Sequence, residues 1–354
     1  MNILKIYIEK FWYQQHKSII MVIICWILYP FSYCFQIIVK WRKKILTKHA
    51  DRLPVPVVIV GNINIGGSGK TRFVLLLAQE LIKINHPVGI IMRGYGGNHQ
   101  QPKLVTLQDN YKVVGDESLI YAQANIPVVI AKNRNLAAIY LFKQHPEIKT
   151  IIADDGLQHY KLNRDFEFCI VDANRMFGNG CLLPTGPLRE PISRLKTVDA
   201  VLMQVQDDNL TSKEQLSLSQ LKQLNENLYI QYFEFIHLFN PVTKQKLSSI
   251  KDIVVETNFY KTAITHIISA LGDNQRFVNY VKSTLQPVNY FIHSFSDHYH
   301  YQLSDLPQDG IIITSEKDYV KMKHFNKDNI WILQIGLKVN NLNNIITKIL
   351  KLRK

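Results

Sequence analysis

Apolar positions are spread unevenly along this chain. Residues 18–39 contain no charged side chain and are mostly apolar. As a helix this stretch is about 33 Å long, close to the hydrocarbon thickness of a bilayer. Lys5, Lys10 and Lys17 precede it; Lys40, Arg42, Lys43, Lys44 and Lys48 follow it. The long run and the lack of a small-residue cleavage site disfavour a removable leader. One reading is a spanning helix with its heavier basic flank at the cytoplasmic end. Another is an interfacial helix, because Tyr29, Ser32, Tyr33 and Gln36 form a weakly polar face. The basic flanks oppose a third, a helix inside a soluble core. Pro30 is expected to bend or interrupt any helix here.

Beyond residue 53, short apolar runs alternate with amphipathic ones. Residues 55–60 are β-branched and read as a buried parallel strand, and 73–81 carry a helical pattern. Strands are predicted at 88–92, 127–131 and 150–153, with a helix over 135–143. This alternation predicts an α/β fold, a doubly wound and mostly parallel sheet with ligands at the carboxyl ends of its strands. After residue 207 the chain turns polar. Three regions follow: 1–45, a membrane-associated helix with its basic flank; 46–207, a P-loop core; and 208–354, a smaller α/β domain facing the core across a cleft. In the last, 228–235 and 311–314 read as strands, and 263–271 and 276–282 as helices.

The turn after the first strand carries the chemistry. Asn64-Ile65-Gly66-Gly67-Ser68-Gly69-Lys70-Thr71 lies between a strand and a helix, the context a phosphate-binding loop needs. Glycines let backbone N–H groups approach phosphates, and the helix N-terminus favours negative charge. Lys70 is placed for the β- and γ-phosphates and Thr71 for Mg²⁺. Asn64 stands where the pattern has its first glycine; asparagine tolerates left-handed backbone, which would keep the loop intact. The strand at 150–153 runs into Asp154-Asp155-Gly156-Leu157-Gln158-His159, and paired carboxylates there suit Mg²⁺ beside a nucleotide phosphate. A guanine-selecting Asn-Lys-x-Asp tetrad is absent, which favours ATP.

Net charge is +14, from 42 Lys+Arg against 28 Asp+Glu, so anionic partners are expected. Nucleic acid is disfavoured, because no recognition motif occurs and basic residues flank the apolar segment. No protein partner is predicted. Cys25, Cys34, Cys169 and Cys181 form neither a C-x-x-C pair nor a zinc-spaced cluster, which fits a reducing compartment.

Taken in order, these motifs resemble one family, the tetraacyldisaccharide 4′-kinases of lipid A biosynthesis. The resemblance rests on Gly61-Asn62 leading into the loop, Arg93-Gly94-Tyr95-Gly96, Gly115-Asp116-Glu117 and the 154–159 run. It continues through Leu182-Leu183-Pro184-Thr185-Gly186-Pro187-Leu188-Arg189-Glu190, Asp297-His298 and Thr314-Ser315-Glu316-Lys317-Asp318. Asn64 is itself family-like. Arg72, often proline in the family, and Leu157, often aromatic, depart from it at positions expected to carry no chemistry.

The resemblance implies ATP- and Mg²⁺-dependent phosphorylation of the 4′-hydroxyl of a tetraacylated glucosamine disaccharide 1-phosphate. It implies work at the cytoplasmic face of the bacterial inner membrane. It makes Asp116 the general base, paired with His298; read alone, Asp116 could equally be a helix cap. Arg189 is a candidate for stabilising transferred charge or holding the substrate's 1-phosphate, against a plain salt bridge with Glu190. Thr71, Asp154, Asp155 and Glu117 form the expected metal set. Tyr95, Arg134, Gln158 and His159 are weaker substrate candidates. The run 314–318 either contacts nucleotide or shapes the cleft. The rival readings are a kinase for a different lipid and a membrane-tethered P-loop switch that transfers no phosphate.

Overall fold

The computed structural model describes residues 3–13, 19–48, 50, 52–66, 69–94, 101–247, 264–297 and 299–352. Gly67, Ser68, Tyr95 and His298 therefore lie outside the described residues. Among these residues, thirteen strands join one sheet, ordered β11-β10-β12-β13-β8-β7-β6-β1-β5-β2-β4-β3, with β9 paired to β8. In chain order the first strands are β1 (Val57–Gly61), β2 (Val88–Met92), β3 (Lys103–Leu104), β4 (Val128–Ile130), β5 (Thr150–Asp154), β6 (Phe166–Asp172) and β7 (Ala200–Val205). The remainder are β8 (Leu228–Phe239), β9 (Lys246–Leu247), β10 (Thr265–Ser269), β11 (Tyr290–Ser294), β12 (Ile311–Ser315) and β13 (Ile330–Val339). The boundary expected at 207 falls between β7 and the next helix, and the sheet runs on through it by the parallel β7–β8 pairing.

β1 is central, parallel to β5 on one side and β6 on the other. Its side chains alternate between two apolar layers, as a strand buried on both faces requires. Val58 and Val60 pack with Phe73, Val74, Leu77 and Leu81 of helix α3 (Lys70–Lys83). Val57 and Ile59 pack with Ala137, Ala138 and Leu141 of helix α6 (Arg134–Gln144). Helix α5 (Asp116–Gln123) adds Tyr121 to the α3 layer. Antiparallel β8–β13 pairing then turns the strand direction, and parallel β12, β10 and β11 extend the sheet. Helices α8 (Asn274–Leu285) and α9 (Glu316–Met322) flank this part, and α10 (Leu342–Leu350) returns to the α3 layer.

Two expectations need correction. The helix predicted over 263–271 is instead the buried strand β10 between β11 and β12; Ala263 is not described. Ile264, Ile267, Ile268 and Leu271 do fit a helical period. A short apolar run is nonetheless ambiguous, and β-branched Thr265, Ile267 and Ile268 suit a strand buried on both faces. Pro30 does not interrupt its helix. α2 runs unbroken from Ile19 to Lys48, because a proline removes one donor and its neighbours can carry the turn. The weakly polar face is also divided. Ser32 is buried against the core: its hydroxyl donates to the Leu182 carbonyl (2.8 Å) and accepts from the Thr185 N–H (3.2 Å). Tyr29 and Tyr33 are exposed. Helix α1 (Ile3–Tyr13) precedes α2.

Gly61 ends β1 where the chain after β5 passes over it. A Cβ there would lie 2.6 Å from Leu157 Cβ. Gly61→Ala is therefore expected to lower stability by about 1–3 kcal/mol, read as a reduced urea midpoint at unchanged slope.

Candidate functional site

The phosphate loop leaves β1 and enters α3 through two left-handed glycines, Gly66 (φ 113°) and Gly69 (φ 82°). Gly69 is the N-cap and provides no side-chain cap, so the start of α3 is open to an anion. A Cβ on Gly69 would come 2.7 Å from Gln204 Oε1, whose side chain is fixed by buried Gln231. Asn64 is not left-handed. Its side-chain amide donates to the Met176 carbonyl (2.7 Å), and its backbone bridges Leu188. Asparagine thus serves as a brace for the loop, a role glycine could not fill. Ile65 is exposed, and its N–H donates to the Pro187 carbonyl (2.9 Å).

The β1–β5 register places Asp154 opposite Val60, so the carboxylates emerge beside the loop. They are in opposite electrostatic states. Asp154 is buried, and burial together with the charge of Glu117 pushes its carboxyl up to about 6. Oδ2 accepts from the Tyr121 hydroxyl (2.7 Å) and lies 3.5 Å from Thr71 Oγ1, while Oδ1 is buried without a hydrogen-bond partner. Burial alone would raise the Asp155 carboxyl as well, but Lys70, Arg189 and Arg134 hold it well below the usual range. Lys70 Nζ lies 3.5 Å from Asp155, and the Arg189 fork binds Asp155 at 3.2 and 3.3 Å and also bonds Asn62.

The Arg189–Glu190 alternative does not form. Glu190 is buried, pairs with Arg194 (3.2 Å), and accepts from Gln158 (2.8 Å) and Tyr160. Asp116 is not a cap either: Gly115 (φ 87°) is the N-cap of α5, and Asp116 is its first residue, buried. Its Oδ2 lies 3.8 Å from Lys317 Nζ and 3.7 Å from Lys321 Nζ. Lys317 also reaches Glu117 (3.2 Å) and Asp297 (3.5 Å). Burial would lower the Lys317 ammonium, but these three carboxylates keep it well above its ordinary value.

The structure thus brings Lys70, Thr71, Asp154, Asp155 and Arg189 together, with Asp116 and Glu117 next to them through Tyr121. Of the weaker candidates among the described residues, Arg134 lies near enough to Asp155 to hold its charge, Gln158 is bound beside Arg189, and His159 stands apart. Arg134 is buried beneath Gly156, with Nη1 3.0 Å from where a Cβ there would be. Gln158 is tied to the Asn62 carbonyl (2.9 Å). His159 lines a different cavity of about 420 Å³ under α2, with Arg42, Leu46, Lys132, Asn133, Tyr160 and Lys161. Burial and the positive charges of Arg134, Arg164, Arg42 and Lys161 push its imidazole down to about 4, so it is neutral at pH 7. Sequence reasoning missed Tyr121, Lys317 and Lys321. The lysines stand in or beside the flagged 314–318 run; Tyr121, one helical turn after Glu117, belongs to no motif and gave no signal.

Mg²⁺ fits these residues. The partnerless Asp154 oxygen and the adjacent Thr71 hydroxyl are hard oxygen donors beside the loop, and a phosphate-bound Mg²⁺ needs only one or two such protein groups. Asp155 is engaged by Lys70 and Arg189, which suits it to a contact through water. Asp154 gives a direct test. Its folded-state pKa is raised, so its charge costs stability above about pH 6 and little near pH 4, where the folded protein holds the proton. Asp154→Asn should therefore raise the unfolding temperature of metal-free protein at pH 8, with the gain fading toward pH 4.

Comparison with known proteins identifies the family. The family described as Tetraacyldisaccharide-1-P 4'-kinase matches residues 24–352. A Tetraacyldisaccharide 4'-kinase of Coxiella burnetii is 35% identical over 337 residues, covering 93% of this chain and 90% of the relative. One from Methylobacillus flagellatus is 36% identical, covering 89% and 88%, and one from Legionella pneumophila 34%, covering 94% of each. The crystal structure of LpxK from Aquifex aeolicus in complex with ATP superposes with a TM-score of 0.74 at 28% identity, covering 94% of this chain and 100% of that one. A phosphate loop, an acidic strand end and a basic fork in one fold, with this likeness over nearly the whole chain, assign it to the tetraacyldisaccharide 4′-kinase family.

Proposed function

We propose that this chain transfers the γ-phosphoryl group of ATP to the 4′-hydroxyl of a tetraacylated glucosamine disaccharide 1-phosphate, at the cytoplasmic face of the bacterial inner membrane. The observation that carries this reading is the convergence of two elements. The phosphate loop and Asp154 meet the Asp116–Glu117 turn of α5 through the Tyr121 hydroxyl, which bonds Asp154. A carboxylate therefore stands beside a nucleotide site, as acceptor activation requires.

In this reading Asp116 takes the proton of the acceptor hydroxyl, with His298 as its partner. The acceptor oxygen forms the new bond to phosphorus, the bond to the bridging oxygen breaks, and ADP leaves with that electron pair. Lys70 and Arg189, both held at Asp155 in the empty site, are the cations that meet phosphoryl charge. Mg²⁺, held by Thr71 and Asp154 with Asp155 and Glu117 nearby, would neutralise charge on the nucleotide. Residues 208–354 complete the site by bringing Asp297 and Lys317 to Asp116 and Glu117.

The acceptor's acyl chains stay in the bilayer. α2 is, among the described residues, the one helix long and apolar enough to cross a membrane, and Ile19, Ile20, Trp26, Ile27 and Trp41 are exposed on it. Its basic end supplies attraction to anionic lipid of about 1 kcal/mol per residue near the surface.

Incubation with γ-labelled ATP and lipid disaccharide 1-phosphate should place the label at the 4′ position. ADP release independent of acceptor would point instead to a nucleotide-dependent switch. Asp116→Ala should lower transfer by about 10²–10⁴-fold while ATP binding, measured calorimetrically, persists. Deleting residues 1–40 should release the enzyme from sedimented vesicles; complete retention would assign the anchor to another surface.

A further inference from the structure

The first turn of α9 grips two helices with adjacent, oppositely charged side chains. Glu316 forms an ion pair with Arg72 on α3, the residue directly after Lys70 and Thr71. Lys317 turns the other way, to Glu117, Asp297 and Asp116 at 3.2, 3.5 and 3.8 Å. The base of this turn is rigid. Thr314 donates to the Ile268 carbonyl (3.0 Å), and Ser315 caps α9 by accepting from the Asp318 N–H (3.1 Å). The Asp318 carboxylate accepts from the Ala270 N–H (3.2 Å) and the Ser315 hydroxyl (2.8 Å), and Lys321 ties it back toward Asp116. Every member of the 314–318 run thus has a defined partner, and among the described residues none of those partners belongs to the phosphate loop itself.

Asp116 and Glu117 are neighbouring carboxylates in one helical turn, and buried like charges repel unless a cation lies between them. Lys317 is that cation. Its ammonium has three donors and a flexible stem, so it can satisfy several carboxylates at once.

We propose that Glu316 and Lys317 form a positioning clamp for phosphoryl transfer. Lys317 sets the direction of the Asp116 and Glu117 carboxylates. Glu316, through Arg72, ties that alignment to the helix that receives the nucleotide phosphates. Both act through other groups and are positioning residues. The inference rests on the reading of Asp116 as the base, and its test separates the two.

The full-length enzyme in detergent micelles is assayed with ATP and lipid disaccharide 1-phosphate. Lys317→Met should lower kcat by about 10²-fold, the cost of a misplaced catalytic group. The KM for ATP should change by less than about threefold, since ground-state nucleotide contacts remain. Lys317→Arg, which keeps the cation, should recover most of the loss. Arg72→Glu and Glu316→Arg should each lower kcat, and the double charge swap should restore it. Wild-type kcat in Lys317→Met, or a loss that Lys317→Arg does not rescue, overturns the Lys317 half. Singly neutral Arg72 and Glu316 variants, or an unrescued swap, overturn the α3 link even if Lys317→Met fails to fold. Asp116→Asn runs in parallel. If it is inactive while Lys317→Met is active, the clamp alone falls; if it turns over normally, the base assignment falls first.

Discussion

The parallel pairing of β1 with β5 governs where the rest of the site can stand. It ends the phosphate loop's strand and the acidic strand at one level, Val60 beside Asp154, so cationic and anionic groups emerge within a few ångströms. Everything nearby is arranged around that proximity. Tyr121 is fully buried and donates its hydroxyl to Asp154. Lys70 and Arg189 neutralise Asp155. The result is one carboxylate only partly compensated and one saturated with it. A partly compensated buried carboxylate costs stability and is useful once a cation arrives, a trade of stability for function that is common at active sites.

The polarity of the sheet determines how distant segments join in. Antiparallel β8–β13 pairing reverses the strand direction, and the segments after β11 and β12 bring Asp297 and Lys317 to Asp116 and Glu117. Residues some two hundred positions apart in sequence thereby share one ammonium. The site is built from the ends of strands in both parts of a continuous sheet, as expected where an open α/β sheet binds its ligands.

Much of this was legible in the sequence because it depends on local rules. Strand, glycine turn and helix announce a phosphate loop through backbone requirements that few residues meet, and the buried parallel strands show as β-branched runs. Partner choice was less accessible. Arg189 and Glu190 are neighbours in sequence with opposite charge, yet each binds elsewhere, Arg189 at Asp155 and Glu190 at Arg194. Arg72 departed from the family pattern and gave no sign of value until α9 was seen to lie against α3. The strand at 265–269 was misread because Ile264, Ile267, Ile268 and Leu271 satisfy a helical period, and only its neighbours in the sheet decide the matter.

The buried contact of Ser32 with Leu182 and Thr185 has a consequence for depth. It fastens α2 to the body of the enzyme partway along its length. From Ile19 to Phe31 the helix ahead of that contact is about 20 Å long, enough for one leaflet of a bilayer and too short for two. In the membrane-bound reading proposed above, the fastened helix would act as a depth gauge, setting how far the protein sinks and the height of the cleft above the lipid headgroups.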